Sequence, residues 1–246
     1  MNGLMHALLY PDWPAPATVG ACVTTRDGGV SLPPYDTLNL GDHVGDDPQA
    51  VEENRRRLCQ ALAVRPAWLQ QVHGIEVAHA DPSQVPQADA SWTATPGIAC
   101  TAMTADCLPV LFCDRAGTRV AAAHAGWRGL AAGVLEATLD QLQVAPEQVL
   151  VWLGPAIGPQ AFEVGEEVRD AFTAQHPEAH TAFVAGARPG KLLADIYALA
   201  RIRLAARGVT ALYGGGLCTV SDPRFFSYRR TPQGGRFASL VWLTGN

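Results

Sequence analysis

The stretch 104–129, TADCLPVLFCDRAGTRVAAAHAGWRG, decides how the chain reads. Two apolar runs, LPVLFC (108–113) and RVAAAHA (119–125), flank the turn DRAGT (114–118), and both read as short strands. Asp106-Cys107 then opens one strand and His124 closes the next. A helical stripe follows at Leu130, Val134, Leu135, Leu139 and Leu142. Two side chains suited to soft-metal binding or nucleophilic chemistry therefore stand at strand ends.

Outward from this stretch, TVGACVTT (18–25) has strand composition. A polar passage of more than twenty residues, RDGGVSLPPYDTLNLGDHVGDDP (26–48), shows no periodicity; loops of this length tend to be functional. Asp47-Pro48 starts a helix, with Val51, Leu58, Cys59 and Leu62 on one face, that ends before Pro66. Residues 67–80 read as two strand segments joined at His73-Gly74, and 81–97 as loop. The run 98–105 reads as a strand, and 149–153 as a buried strand before the rigid turn GPAIGP. Helices are expected over 165–176 and 191–207, the second ending at Gly208, with a strand at 209–213. Ser221-Asp222-Pro223 reads as a helix start, and 237–243 as the closing strand. Irregular alternation with consecutive strand pairs predicts α/β, with layered mixed β-sheets and flanking helices, in a single domain over 1–246.

The 246 residues are 48% apolar and 17% charged, the composition of a well-buried globular body. The net charge is −5 and the densest basic cluster is Arg55-Arg56-Arg57, whose side chains fan apart on a helix. Nucleic acid and anionic membrane are disfavoured as partners. The N-terminus lacks a basic segment, its apolar run stops at Pro11 and Pro14, and no span nears 18 apolar residues. A cytoplasmic protein is the expectation. Six cysteines without a C-x-x-C pair read as free thiols.

Of seven histidines, His6, His79, His176 and His180 lack motif context and read as surface residues. His43, His73 and His124 sit beside glycines or in turn-like contexts. Gln71-Val72-His73-Gly74 ends one strand, Cys107 starts another and His124 ends a third, and sheet edges are where α/β folds place sites. Two imidazoles and a thiolate can hold zinc with a fourth position open, the catalytic arrangement. The spacings match no zinc-finger pattern. The same residues also permit a metal-free cysteine hydrolase with Cys107 as nucleophile and His124 as base. Copper with Met103 as a weak axial ligand is a further reading, but a multicopper oxidase would need many more histidines.

The motifs TRDGGVS, NLGDHVGDDP, QVHG, ADCLPV, HAGWRG, GPAIGP and FFSYRR occur in this order over nearly the whole chain. As a set they resemble the laccase-domain, or multicopper polyphenol oxidase-like, family of bacterial proteins, also described as purine nucleoside phosphorylases and peptidoglycan editing factors. The resemblance implies a single zinc on His73, Cys107 and His124, and an α/β fold similar to a cysteine-hydrolase-like toxin domain. It implies phosphorolysis of adenosine, inosine and methylthioadenosine, with adenosine deamination alongside. One departure stands out. Family members often carry Cys-Tyr before Glu-Val-Gly, where this chain has Ala161-Phe162 before Glu163-Val164-Gly165.

Small-molecule purine nucleosides and inorganic phosphate are thus the expected partners, with the oligomeric state open and a monomer sufficient. A zinc-activated water suits deamination at C6 of adenine, with Asp106 or a nearby acid moving the proton. Phosphate calls for arginine forks, and the candidates are Arg26, Arg128 at a helix start, and Arg229 or Arg230. Asn39 suits a bond to base or sugar. Phe225, Phe226 and Tyr228 suit stacking on a purine, with core packing the competing role. Cys218 reads as a buried thiol.

Overall fold

The computed structural model describes residues 4–245. Its elements run β1 Leu8–Leu9, β2 Val19–Thr24, α1 Pro48–Leu62, β3 Arg65–Ala67, β4 Val77–His79, β5 Ala90–Thr93 and β6 Ile98–Thr104. They continue with β7 Leu108–Asp114, β8 Val120–Ala125, α2 Trp127–Ala132, α3 Val134–Leu142, β9 Val149–Leu153, β10 Glu163–Gly165 and α4 Glu166–Thr173. The chain closes with β11 Phe183–Ala185, β12 Lys191–Ala194, α5 Ile196–Ala206, β13 Ala211–Gly214 and β14 Phe237–Leu243.

Two mixed sheets stack. One has the order β13-β9-β7-β8-β5-β4, the other β1-β2-β14-β6-β3, and a small sheet β10-β12-β11 stands apart. The central strands β7, β8 and β9 are buried at every residue, because both faces are covered. Side chains alternate between the covers. Ala121, Ala123 and Ala125 of β8, with Leu108, Val110 and Phe112 of β7, face α3 and α5. Val120 and Ala122, with Leu111 and Cys113, face Cys100, Ala102, Phe237 and Val241 of the other sheet. The far side of that second sheet is covered by α1, whose Leu58 packs with Leu38, Leu40 and Leu240. The result is the layered mixed α/β architecture that the sequence predicts. No helix among the described residues is long and apolar enough to cross a membrane.

Several local expectations are corrected. Residues 68–76 are not strand: β3 ends at Ala67 and β4 begins at Val77. The 81–97 segment contains β5, which pairs with β8. The 130–142 helix begins earlier, at Trp127, and divides at Gly133, whose φ of 112° is open to glycine. The 191–207 helix gives its first four residues to β12, because Asp195 caps α5 by accepting the N–H groups of Tyr197 and Ala198. The 165–176 helix is shorter, ending at Thr173. The 221–230 segment forms turns, not a helix; Asp222 binds the Arg224 N–H and guanidinium instead of capping a longer run.

Candidate metal centre and cleft

Asp89 organises the site, and no motif marks it. Its carboxylate is completely buried and accepts the backbone N–H groups of Val72 at 3.1 Å, His73 at 2.9 Å and Gly74 at 2.6 Å. These three bonds replace strand pairing, which explains why 68–76 leaves the sheet. They also hold His73 in the left-handed region, at φ 62°. Gln71 pins the same loop from the other side: its amide donates to the Met103 carbonyl and accepts the Met103 N–H, each at 2.8 Å. The Asp89 carboxylate further meets His124 Nδ1 at 2.7 Å. An ionised carboxylate only accepts, so Nδ1 carries a proton and Nε2 is the nitrogen turned to the cluster. Burial works to raise the Asp89 carboxyl, but the bonds from His124, Gly74 and Val72 prevail and hold it below its ordinary range.

The antiparallel pairing of β7 and β8 sets Pro109 opposite His124, so Cys107 lies beside His124 at one sheet edge. Cys107 Sγ is 3.7 Å from His73 Nε2, and the two imidazoles meet edge to face at 4.7 Å between centroids. The donor atoms of His73, Cys107 and His124 lie within 4.8 Å of one another, the one such group among the described residues. Gly126 makes the approach possible, since a Cβ there would stand 2.5 Å from His73 Cδ2. Burial works to raise the Cys107 thiol, but the charge and hydrogen bonds of His124 and His73 prevail and bring it down to about 6. Burial likewise opposes charge on His124, but the Cys107 thiolate and Asp89 prevail and lift it to about 9. Two imidazoles and a ready thiolate, one imidazole oriented by a carboxylate behind it, fit a metal ion with an open position.

The cluster opens into a cleft of about 660 Å³, large enough for a nucleoside-sized ligand. Arg128, Tyr228 and Arg229, expected as substrate contacts, line it, and so does Asp106. Arg229 spends its guanidinium on the carbonyls of Ala161 and Glu163. Asp106 accepts the Thr219 hydroxyl and the Arg229 N–H, both at 2.6 Å. Two expected substrate residues lie elsewhere. Arg26 is tied to Asp36 at 2.9 Å and lines a separate pocket of about 190 Å³. Asn39 is fully buried and spends its amide on Gly41, Asp46 and the Arg236 N–H, because a buried amide must be satisfied locally.

Phe225 and Phe226 are core residues, and Cys218 is half-buried outside the cleft lining. Met103 contributes to the cleft lining, but its sulfur meets the Arg55 guanidinium at 3.9 Å and its side chain packs among Leu40 and Ala99. His43, Lys191 and Arg236 line the cleft without having been singled out by sequence as substrate contacts. No spacing rule could find Arg236 or Asp89. The only available signal was an acid in an apolar context, Ala88-Asp89-Ala90, and a basic residue after Gly234-Gly235.

Comparison with known proteins gives the chain its relatives. The chain is 72% identical to a purine nucleoside phosphorylase of Pseudomonas aeruginosa, over 97% of this chain and 99% of that one. It is 58% identical to the purine nucleoside phosphorylase YfiH of Escherichia coli, over 97% and 100% of the two chains. A crystal structure of a Neisseria meningitidis protein superposes with a TM-score of 0.95 at 55% identity, covering 97% of this chain and 100% of that one. YlmD of Geobacillus stearothermophilus superposes with a TM-score of 0.90 at 32% identity, over 97% of each chain. Residues 20–244 match the family described as multi-copper polyphenol oxidoreductase laccase, and with these relatives the chain belongs to that family.

Proposed function

We propose that this protein is a zinc-dependent purine nucleoside phosphorylase, splitting adenosine, inosine and methylthioadenosine to free base and ribose 1-phosphate, with adenosine deamination as a side activity. The observation that carries the proposal is the His73, Cys107 and His124 cluster at a cleft whose cations Arg128, Lys191 and Arg236 lack carboxylate partners among the described residues. The relatives named purine nucleoside phosphorylase support the reaction class. The donor set favours zinc over a multicopper centre, which needs further imidazoles, and the Met103 sulfur is engaged with the Arg55 guanidinium.

His73, Cys107 and His124 would hold the ion. Zinc so bound supplies a Lewis acid that brings a water's pKa near 7. Asp89 fixes the His124 tautomer and presents Nε2 to the cluster. Trp127, Phe162 and Tyr228 offer aromatic surface to a purine. The cleft cations offer the charge that phosphate and a departing base require. Asp106, held by Thr219 and Arg229, keeps a fixed acceptor at the cleft wall.

Adenosine is incubated with and without inorganic phosphate, and the products are separated by chromatography. Adenine or hypoxanthine formed only with phosphate supports phosphorolysis; inosine supports deamination. Neither product from zinc-loaded protein would sink the proposal. The low-lying Cys107 thiol, with His124 and Asp89 in series, supports a second reading: a cysteine hydrolase acting on an amide, with peptidoglycan precursors as the substrate class. Full activity after stringent chelation would favour that reading.

A further inference from the structure

None of the residues Asn39-Leu40-Gly41 lines the cleft; all three hold Arg236, which does. Asn39 Oδ1 accepts the Arg236 N–H at 2.8 Å, and the Arg236 carbonyl accepts the Leu40 N–H at 3.1 Å. A Cβ on Gly41 would stand 2.9 Å from Arg236 Cγ, so glycine clears the path of the arginine stem. A Cβ on Gly235 would stand 2.7 Å from Phe226 and 2.9 Å from Asn39, which fixes the preceding residue against the same support. A fully buried asparagine, a backbone bond and two close approaches thus converge on one side chain.

The guanidinium so placed is only partly used. Its Nη1 donates to the carbonyls of Gly234 and Gly235 at 3.0 and 3.1 Å. Its Nε and Nη2 have no acceptor among the described residues. Arg26, Arg55, Arg188 and Arg203 are each tied to a carboxylate; Arg236 is not. The charges of Asp106 and Cys107 lie near Arg236, but neither forms a direct ion pair with it among the described residues; a half-buried cation is costly, and an arriving anion relieves that cost. The other cleft cations are less suited to a fixed anchor. Arg229 is committed to two carbonyls, Arg128 is exposed and lies over Trp127 at 4.4 Å, and Lys191 is exposed.

We propose that Arg236 is the fixed anchor for the inorganic phosphate co-substrate, binding its oxygens through Nε and Nη2, with the Asn39-Leu40-Gly41 segment as the device that positions it. Arg128 and Lys191 supply mobile charge from the rim. The inference rests on the phosphorolysis reading and names its phosphate contact.

The test titrates zinc-loaded protein with inorganic phosphate by calorimetry, without nucleoside, and measures the phosphate KM with adenosine present. Arg236→Gln should raise both constants about 10- to 100-fold, the scale of a lost charge-assisted bond. Arg236→Lys, which keeps the charge and loses the fork, should fall between, and it carries the test if the glutamine variant does not fold. Arg224→Gln, on a surface pair with Asp222, should titrate like the unaltered protein. Unchanged phosphate constants in Arg236→Gln overturn the anchor while leaving phosphorolysis standing. A calorimetric isotherm that is lost in Arg236→Gln, together with no phosphate-dependent product from the unaltered protein, upholds the anchor and overturns the reaction.

Discussion

A methyl group at position 126 would sit 2.5 Å from His73 Cδ2 and 3.1 Å from Cys107 Sγ. Gly126 itself has φ −64° and ψ 156°, which alanine adopts freely, so Gly126→Ala tests the steric point alone. Its metal affinity should fall on the order of 10- to 100-fold, by competition with a chelator, while circular dichroism stays unchanged. Native affinity in that variant would refute the tight approach. The thiol and imidazole give a second residue-scale expectation. In metal-stripped protein Cys107 is lowered to about 6 and His124 raised to about 9. The thiolate contribution is fully present above the unfolded thiol value and is lost as pH falls through about 6. The imidazolium contribution is fully present below the unfolded histidine value and is lost as pH rises through about 9. The pair therefore stabilises the stripped protein between these limits. Thiolate ultraviolet absorbance should persist at pH 7 and vanish below about 6, a change missing from Cys107→Ser.

Among the elements, α2 and α3 behave as one sequence stripe bent at Gly133, and Arg203 of α5 ties both. Its Nε meets Glu136 of α3 at 2.6 Å, and its Nη1 meets the Ala131 carbonyl of α2 at 3.0 Å. Arg203 is buried, and removing one partner of a buried pair leaves the other charge without compensation. Arg203→Ala should cost about 3–5 kcal/mol in urea unfolding, and Arg203→Met with Glu136→Leu should recover much of that. Equal losses in the single and double variants would show that packing, not the orphaned Glu136, sets the cost. The elements that read true from sequence are those with strong internal pattern: β6 to β9 and β14, mostly apolar, and α1 with its Asp47 cap. The strands that escaped are two to four residues long. β5, Ala-Ser-Trp-Thr, shows no apolar run, and only its pairing with β4 and β8 makes it a strand. β10, β11 and β12 form a small sheet from pieces too short to show a period.

At the scale of the whole molecule, two stacked sheets and their helical covers form the body, and the His73, Cys107 and His124 cluster stands on one edge of it. The stripped protein should therefore remain folded, unlike small domains that metal alone holds together. Zinc should raise Tm with concentration, and binding at a thousandfold excess over Kd contributes about 4 kcal/mol. Loss of the sheet signal on chelation would contradict this. The site was legible in sequence where its ligands lie on or beside long strands or in the QVHG motif: His73, Cys107 and His124 come together as expected. It was illegible where a residue acts through another. Asn39 reads as a substrate contact, yet it reaches the cleft only by way of Arg236. Arg26 reads as a phosphate fork, yet Asp36 claims it.

One carboxylate serves both histidines: Asp89 grips the His73 loop by its backbone and the His124 ring by Nδ1. The two ligands are accordingly a single heritable unit with strong epistasis. Once His73→Ala has removed the first imidazole, adding Asp89→Asn should cost less metal affinity than it does alone, because the loop half of its role has nothing left to hold. A fully additive double-variant cycle would show the two histidines to be independent. If the coupling is present, positions 73, 89 and 124 are free to drift only together, and a descendant that loses one of them is released from keeping the other two.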